Sequence, residues 1–355
     1  MLSDAPVREV VGGVDTHKDT HVVAVIDTLG RVCGTEAFPT TALGYANLLR
    51  WVQSFGTVRR IGVEGTSSYG AGLTRYLRRA GIDLVEVNRP NRQFRRERGK
   101  SDLVDAEAAA RAALVQETAR VPKAQDGTVE LLRIIRVQRR SAIHARTQAA
   151  NQLHAIVSSA PDIIRARLRD CSIPAVVAKL QRRRPSTVAL ERVTNEVLRG
   201  LAQRWARLHQ EIRMLDKQID ELVRACAPDL LARLGVGPEV ASALLVAAGD
   251  NPERLRNERA FAALCGVAPL DASSGRQQRH RLNRSGNRDA NRALWVIAFV
   301  RLRIDPVTKV YMTRRLAQGR SKLEVLRCLK RYIAREVFKL LQPLCAPPAA
   351  TTVAT

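Results

Sequence analysis

Aromatic residues are scarce. They make up 4% of the sequence, too few for a protein that holds single strands mainly by stacking bases on aromatic platforms. Paired cysteines are missing as well. Cys33, Cys171, Cys226, Cys265, Cys328 and Cys345 are scattered, and none forms a CxxC pair. That argues against a zinc ribbon or a dithiol redox motif, and reduced, mostly buried thiols are the expectation. The N-terminal MLSDAPVREV has no apolar core of a secretory signal. No uncharged apolar run approaches the ~20 residues that cross a bilayer. A soluble, cytoplasmic protein without a membrane partner is expected. Acid is also in deficit: 34 Asp and Glu face 59 Lys and Arg, for a formal net charge of +25. Such an excess on a folded chain is the footprint of a polyanion partner, most commonly nucleic acid; a surface that is merely soluble mixes the two signs more evenly. With 45% hydrophobic residues in 355, the chain can bury real cores, and its length suits two or three domains of ~100–200 residues.

Three regions separate by pattern. In residues 8–120, REVVGGVD, HVVAVID and RVCGTEAF read as three short Val-rich strands broken by turns. TTALGYANLLRWVQSF follows as a helix started by Thr, with Leu48, Leu49 and Val52 inward. RIGVEG is a fourth strand, SYGAGLTRYLRRAG a helix ending at Gly81, DLVEVN a fifth strand, and SDLVDAEAAARAAL a last helix. A meander followed by alternating helices and strands describes an α/β domain.

Residues 128–226 carry almost no strand signal. Leu190, Thr194, Val197, Leu201, Trp205, Leu208, Ile212, Leu215, Ile219 and Leu222 step by four and three, a heptad seam that argues for a coiled coil. An earlier helix carries Leu131, Ile135, Ala142, Ala149, Leu153 and Ile156, with Arg133, Arg136, Arg139, Arg140 and Arg146 mostly outside that seam. An antiparallel hairpin within one chain and a stalk that makes a dimer or tetramer both fit; the stalk is expected. Residues 231–341 are helical again, with a Gly/Ser/Arg/Asn-rich break at 271–289, and 342–355 have the composition of a disordered tail.

The acids of the first region suggest chemistry. Asp15 ends the first strand and Glu64 the fourth, while Asp102 and Asp105 share one helical face. Taken singly, Asp15 can turn a hairpin, and Glu64 and Asp102 can cap helices. Taken together, four carboxylates would repel one another unless a cation sat among them. Hard divalent ions prefer such oxygen ligands, and two Mg²⁺ ions ~4 Å apart would clamp the attacking and leaving oxygens of a phosphodiester. His17 and His21 lack further soft ligands and read as surface hairpin residues; Asp19 and Glu107 read as solvated carboxylates.

The third region offers phosphate contacts. LARLGVGPEVASALLVAAGD has the form helix, Gly-Val-Gly turn, helix. Gly235 and Gly237 would let the chain turn tightly and expose amides at a helix start, where phosphate binds well; a plain helical hairpin is the simpler alternative. In the following break, Ser273, Ser274 and Gly275 precede Arg276, Arg279, Arg281, Arg284 and Arg288. Guanidiniums bind phosphate oxygens in a bidentate fashion. A serine in such a field is either a loop residue or an activated nucleophile.

VGGVDTHKDTHVVAVID, RIGVEGTSSYG and GKSDLVDAEAAARAAL resemble the acidic motifs of the DEDD transposases of the bacterial insertion sequences numbered one hundred and ten. LGVGPEVASALLVAAGD and FAALCGVAPLDASSGRQQRHRLNRSGNRDANRAL are similar to the C-terminal domain of the same family. The likeness runs in order along nearly the whole chain. It implies an RNase H-like (RuvC-like) α/β domain at 8–120, a coiled-coil spacer at 128–226 and a small helical transposase domain at 231–341 with a helix-hairpin-helix-like element. It implies Asp15, Glu64, Asp102 and Asp105 as the Mg²⁺ tetrad and Ser274, or its neighbour Ser273, as nucleophile. It further implies recombination of double-stranded DNA through a covalent phosphoserine link, guided by a structured (bridge) RNA, in a homodimer or tetramer that acts at the bacterial nucleoid. One departure from the family is Arg276, where Ser often follows the glycine. Two alternatives stay beside this expectation: an RNase H-like nuclease or junction resolvase that uses metal-activated water, and a nucleic-acid-binding protein without catalysis.

Overall fold

The computed structural model describes residues 8–87, 101–115, 120–182, 185–251, 255–274 and 280–341. By its packing the chain divides into two compact units, one of residues 1–130, 247–287 and 334–355, the other of 131–246 and 288–333.

The first unit is built on β1 (Glu9–Thr16), β2 (Thr20–Asp27), β3 (Val32–Pro39), α1 (Ala42–Gln53), β4 (Thr57–Glu64), α2 (Ala71–Arg79), β5 (Leu84–Val87) and α3 (Asp102–Leu114). Local chemistry places the breaks. The Asp27 carboxylate accepts from the backbone N–H of Leu29 and Arg31 (3.0 and 2.9 Å), closing the turn between β2 and β3. The Thr41 hydroxyl caps α1 by accepting from Gly44 N at 3.0 Å. The sheet order is β3-β2-β1-β4-β5, antiparallel along β1–β3 and parallel from β1 through β4 to β5.

Helices cover both faces of this mixed sheet, which is why β1 and β2 read as continuous apolar runs rather than alternating ones. On one face Val10, Val14, Val23, Val25, Ile61 and Val63 pack with Leu48, Leu49 and Val52 of α1 and Leu73 and Leu77 of α2. On the other, Val11, Ile26, Val85 and Val87 meet Ala109, Ala110 and Ala113 of α3. Here the backbones approach closely. A Cβ on Gly13 would lie 2.0 Å from Ala110 N and 2.4 Å from Ala106 O, and one on Gly62 would lie 2.8 Å from Ala109 O. Glycine on the strands and alanine on the helix are what allow that distance.

The chain continues through α4 (Thr128–Ser159), α5 (Asp162–Leu168), α6 (Ile173–Gln181), α7 (Ala189–Cys226), α8 (Pro228–Leu231) and α9 (Pro238–Ala248), then α10 (Glu258–Leu264), the two-residue strands β6 (Leu270–Asp271) and β7 (His280–Arg281), and α11 (Arg288–Ile304), α12 (Pro306–Ala317) and α13 (Lys322–Leu341). In the second unit α4 and α7 run antiparallel: Gln138 bonds Glu211, Arg139 bonds Asp216, and Arg146 lies 3.1 Å from the His209 ring. The hairpin within one chain therefore exists. The heptad seam holds at Ile212, Leu215 and Ile219, which are buried, and slips at its end, where Val223 is fully buried and Leu222 only partly. In its N-terminal half the buried positions shift by one residue. Leu198 and Ala202 enter the core formed with Leu153, Val157, Ile164, Leu168 and Val177, while Leu190 and Val197 stay exposed. Helices α5 and α6 pack on α7 from a different side there, and tertiary packing overrides the seven-residue repeat.

α4 shows the same shift, with Leu132 and Arg136 buried where Leu131 was expected. Arg136 donates to the Ser242 hydroxyl (2.6 Å) and the Glu239 carbonyl (3.0 Å), and pairs with the carboxylates of Glu239 and Asp289. Arg139 pairs with Asp216 and Glu239, and Arg140 with Asp289. Arg136 and Arg139 link helices from largely buried positions, and the exposed Arg140 does so at the surface. Of the described cysteines, Cys265 alone is fully buried, its thiol pushed up to about 12 by burial; Cys33, Cys171, Cys226 and Cys328 are only partly buried, fewer than expected. Among the described residues no helix is long and apolar enough to cross a membrane. Cys345 and the expected tail at 342–355 lie outside the described residues.

Candidate active site

Strand register sets the first two acids side by side. Val14 pairs with Val63 across parallel β1 and β4, so the next residues lie at the same level, Glu64 as the last of β4 and Asp15 one before the last of β1. Side chains alternate along a strand. Asp15 therefore shares the face of Gly13, and Glu64 that of Gly62, which is the face α3 covers. α3 starts at Ser101, whose hydroxyl accepts from Val104 N at 3.3 Å, and Asp102 and Asp105 occupy its first turn. The close contact of α3 with β1 and β4 carries that turn to the strand ends. Asp15, Glu64 and Asp105 are buried and Asp102 is exposed.

The tightest grouping is not four carboxylates. Asp15, His17 and Asp102 offer ligand atoms that all lie within 4.8 Å of one another. His17 Nε2 is 3.1 Å from Asp15 Oδ2 and 3.3 Å from Asp102 Oδ1. The backbone explains its place: His17 N donates to Thr20 O at 3.1 Å in the β1–β2 turn, directly after the strand that ends at Thr16. His17 is thus part of the acidic site and not a plain surface hairpin residue. The one sequence signal was its position two residues after Asp15. His21, also expected on the surface, is fully buried on β2 and stacks on Tyr45 with centroids 5.8 Å apart, and burial holds its pKa below the usual histidine value. Glu107 forms an i,i+4 pair with Arg111 at 2.9 Å, while Asp19 is exposed and lends its carbonyl to Thr40 N.

Electrostatically the group is unfavourable as it stands. Burial raises the Asp15 pKa above the usual carboxylate range; His17 opposes this, and the neighbouring charges of Asp105 and Asp102 add to it. A buried carboxylate crowded by two more is stabilised by a cation. The donors, mainly carboxylate oxygens with one imidazole nitrogen, fit a hard or borderline divalent ion.

The candidate serines lie elsewhere in the sequence pattern. Ser273 and Ser274 follow β6 and are exposed, with Asp271 Oδ1 accepting from Ser273 N at 2.9 Å. β6 and β7 pair as a small antiparallel arm, Leu270 with Arg281 and Asp271 with His280. Arg281, Arg284 and Arg288 are exposed, whereas Arg276 and Arg279 lie outside the described residues. In the glycine turn before α9, Gly235 takes a φ of +85°, with Ile297 O 3.2 Å from where a Cβ would sit; Gly237 faces open space. Asp250 and Asn251 were not singled out from the sequence, yet they organise the first unit. Asp250 Oδ1 accepts from Val129 N (2.8 Å) at the start of α4, and the Asn251 side chain bonds Ala124 N and Pro122 O (3.1 and 3.0 Å).

Residues 12–160 match a family model described as a transposase, of the DEDD type of IS110 elements, and residues 229–313 match a second, described as the transposase IS116/IS110/IS902 family. Together the matches cover more than half of the chain. A protein of Streptomyces coelicolor named "Insertion element IS110 uncharacterized 43.6 kDa protein" is 32% identical over 149 residues, 41% of this chain and 36% of that protein. One of Pseudomonas aeruginosa named "Probable family 20 transposase" is 32% identical over 184 residues, 51% of this chain and 52% of that protein. The matched stretches thus span about a third and about half of these two relatives.

Proposed function

This chain belongs to the IS110 family of DEDD transposases, and from that premise we propose that it cuts and rejoins double-stranded DNA in a Mg²⁺-dependent reaction through a covalent phosphoserine intermediate. The observation that carries the reading is the convergence of Asp15 and Asp102, 3.1 and 3.3 Å from one histidine nitrogen, at the ends of parallel strands where Glu64 and Asp105 are also placed. The sheet order and the helix crossing it accord with an RNase H-like, RuvC-like domain.

In this reading Asp15, Glu64, Asp102 and Asp105 hold one or two Mg²⁺ ions. When bound, such ions neutralise phosphate charge and orient the oxygens of an in-line displacement. Ser274 Oγ forms a bond to phosphorus as the ester bond to a deoxyribose oxygen breaks; the proton lost by the serine matches the one gained by the leaving hydroxyl. Attack by a hydroxyl of the second strand reverses the step and frees the serine. Arg281, Arg284 and Arg288, with Arg276 and Arg279, bind the phosphates around the cut, and the turn at Gly235 and Gly237 offers amides to the backbone. Part of the positive charge holds a structured guide RNA, and the exposed Leu190, Val193 and Val197 on α7 support assembly into a homodimer or tetramer.

The test uses the full chain with duplex DNA carrying its element ends, the adjoining transcribed RNA and Mg²⁺. The expected product is a denaturant-resistant protein–DNA adduct, absent in Ser274→Ala and retained in Ser273→Ala, with DNA binding unchanged in both. Cleavage at the normal rate by Ser274→Ala would replace this reading with hydrolysis by activated water. Binding should weaken steeply with added salt, since neutralised phosphates release counterions.

A further inference from the structure

We infer that His17 is a direct nitrogen ligand of the divalent cation, giving this site a mixed nitrogen–oxygen donor set that favours Mn²⁺ over Mg²⁺. The inference rests on the reading of Asp15 and Asp102 as cation ligands. Three observations carry it. The first is spacing. Adjacent ligands of an octahedral ion with bonds of about 2.1 Å lie about 3 Å apart, and His17 Nε2 is 3.1 Å from Asp15 Oδ2 and 3.3 Å from Asp102 Oδ1. The second is proton inventory. Nε2 carries at most one hydrogen, yet two carboxylate oxygens of different residues approach it together, so one hydrogen bond cannot serve both well. A cation accepts all three donors. The third is the backbone: the ring sits on a turn pinned by His17 N to Thr20 O at 3.1 Å and its side chain is 45% exposed, so it is held at the strand end without being part of the core.

Imidazole is a ligand that Mg²⁺ takes reluctantly and that later divalent metals take readily. Carboxylates alone would discriminate less. His17 therefore acts on which ion the acids hold, and its replacement should change ion preference more than ion binding as such.

The test is pulsed electron paramagnetic resonance of the full chain with Mn²⁺ alone. A directly bound imidazole nitrogen modulates the Mn²⁺ echo, and growth on nitrogen-15 histidine should shift that pattern in the unaltered protein. His17→Gln should lose the modulation, bind Mn²⁺ roughly tenfold more weakly, and change less than about twofold in Mg²⁺ affinity measured by competition. Mn²⁺ bound with no histidine nitrogen, or modulation unchanged in His17→Gln, overturns the inference. Asp15→Asn separates the two readings. Loss of Mn²⁺ there, with no histidine nitrogen in the unaltered protein, leaves the acidic site standing and removes only His17. If the unaltered protein binds no Mn²⁺, or binding is indifferent to Asp15→Asn, both readings fall. The isotope result needs no substitution, so poor folding of a variant cannot shelter the inference.

Discussion

Gly13 of β1 and Ala110 of α3 touch main chain to main chain: a side-chain carbon on Gly13 would stand 2.0 Å from the Ala110 nitrogen. Two residues beyond Gly13 on the same strand face is Asp15, and five residues before Ala110 is Asp105. The depth of this contact sets how closely the acids of strand and helix meet.

Gly13→Ala should therefore damage both fold and site. The obstacle on either side is backbone, at Ala110 N and Ala106 O, which cannot rotate away. We expect a loss of at least ~2 kcal/mol in denaturant unfolding, together with a smaller rise in melting temperature on adding Mg²⁺ or Mn²⁺. Gly237→Ala, where open space surrounds the position, should stay within ~0.5 kcal/mol. Equal stabilities for the two variants would show that α3 does not press on β1.

Asp15→Asn removes a buried carboxylate crowded by Asp105 and Asp102. The cation-free protein should melt at a higher temperature, and the further rise with divalent ions should disappear. DNA cleavage should fall at least about a hundredfold, the scale for losing a group that stabilises transition-state charge, with DNA affinity in EDTA retained. Undiminished cleavage by this variant would remove Asp15 from the reaction.

Asp250 predicts a pH dependence. Burial, the main cause, raises its pKa above the usual range against the backbone N–H groups of Val129, Gly127 and Glu130. The folded protein thus holds this proton more tightly than the unfolded chain does. Its contribution to stability is full below the ordinary aspartate value and declines as pH rises to the raised folded value. Asp250→Asn keeps an oxygen for Val129 N and should remove that decline, leaving the variant the more stable above the window. Asp250→Ala loses the cap as well and should cost about 1 kcal/mol. Urea titrations across acid pH decide it; an unaltered slope in Asp250→Asn would refute the assignment.

Arg136→Ala should be among the most damaging changes in the second unit. It would remove the bonds to the Ser242 hydroxyl and the Glu239 carbonyl, leave the Glu239 carboxylate with Arg139 alone, and open a hole between α4 and α9. About 2 kcal/mol is expected from the lost charge-assisted hydrogen bonds and the packing of the buried arginine stem, with nucleic-acid binding by the folded fraction unchanged. A variant of normal stability and weakened DNA binding would make Arg136 a nucleic-acid contact and not a structural one.

The local elements are written in short stretches of residues. Val-rich apolar runs, the Thr41 cap and the turns between strands act over a few residues, so the order of strands and helices in the first unit and the positions of Asp15 and Glu64 near strand ends could be read directly; the cap of α3 is Ser101, where Asp102 was the candidate. The heptad of α7 was legible where one partner faces it, at Ile212, Leu215 and Ile219. Other features depend on distant partners and emerge only in the folded chain. Arg136 has an unremarkable place on a helix until Glu239 and Ser242 arrive beside it. Leu198 rather than Val197 is buried because α5 and α6 cover that side of α7. His17 looked like a turn residue because its companion at the site, Asp102, comes from a helix far along the chain. Periodicity and capping are written in neighbouring residues; a convergence of side chains is written only in the packing that brings their backbones together.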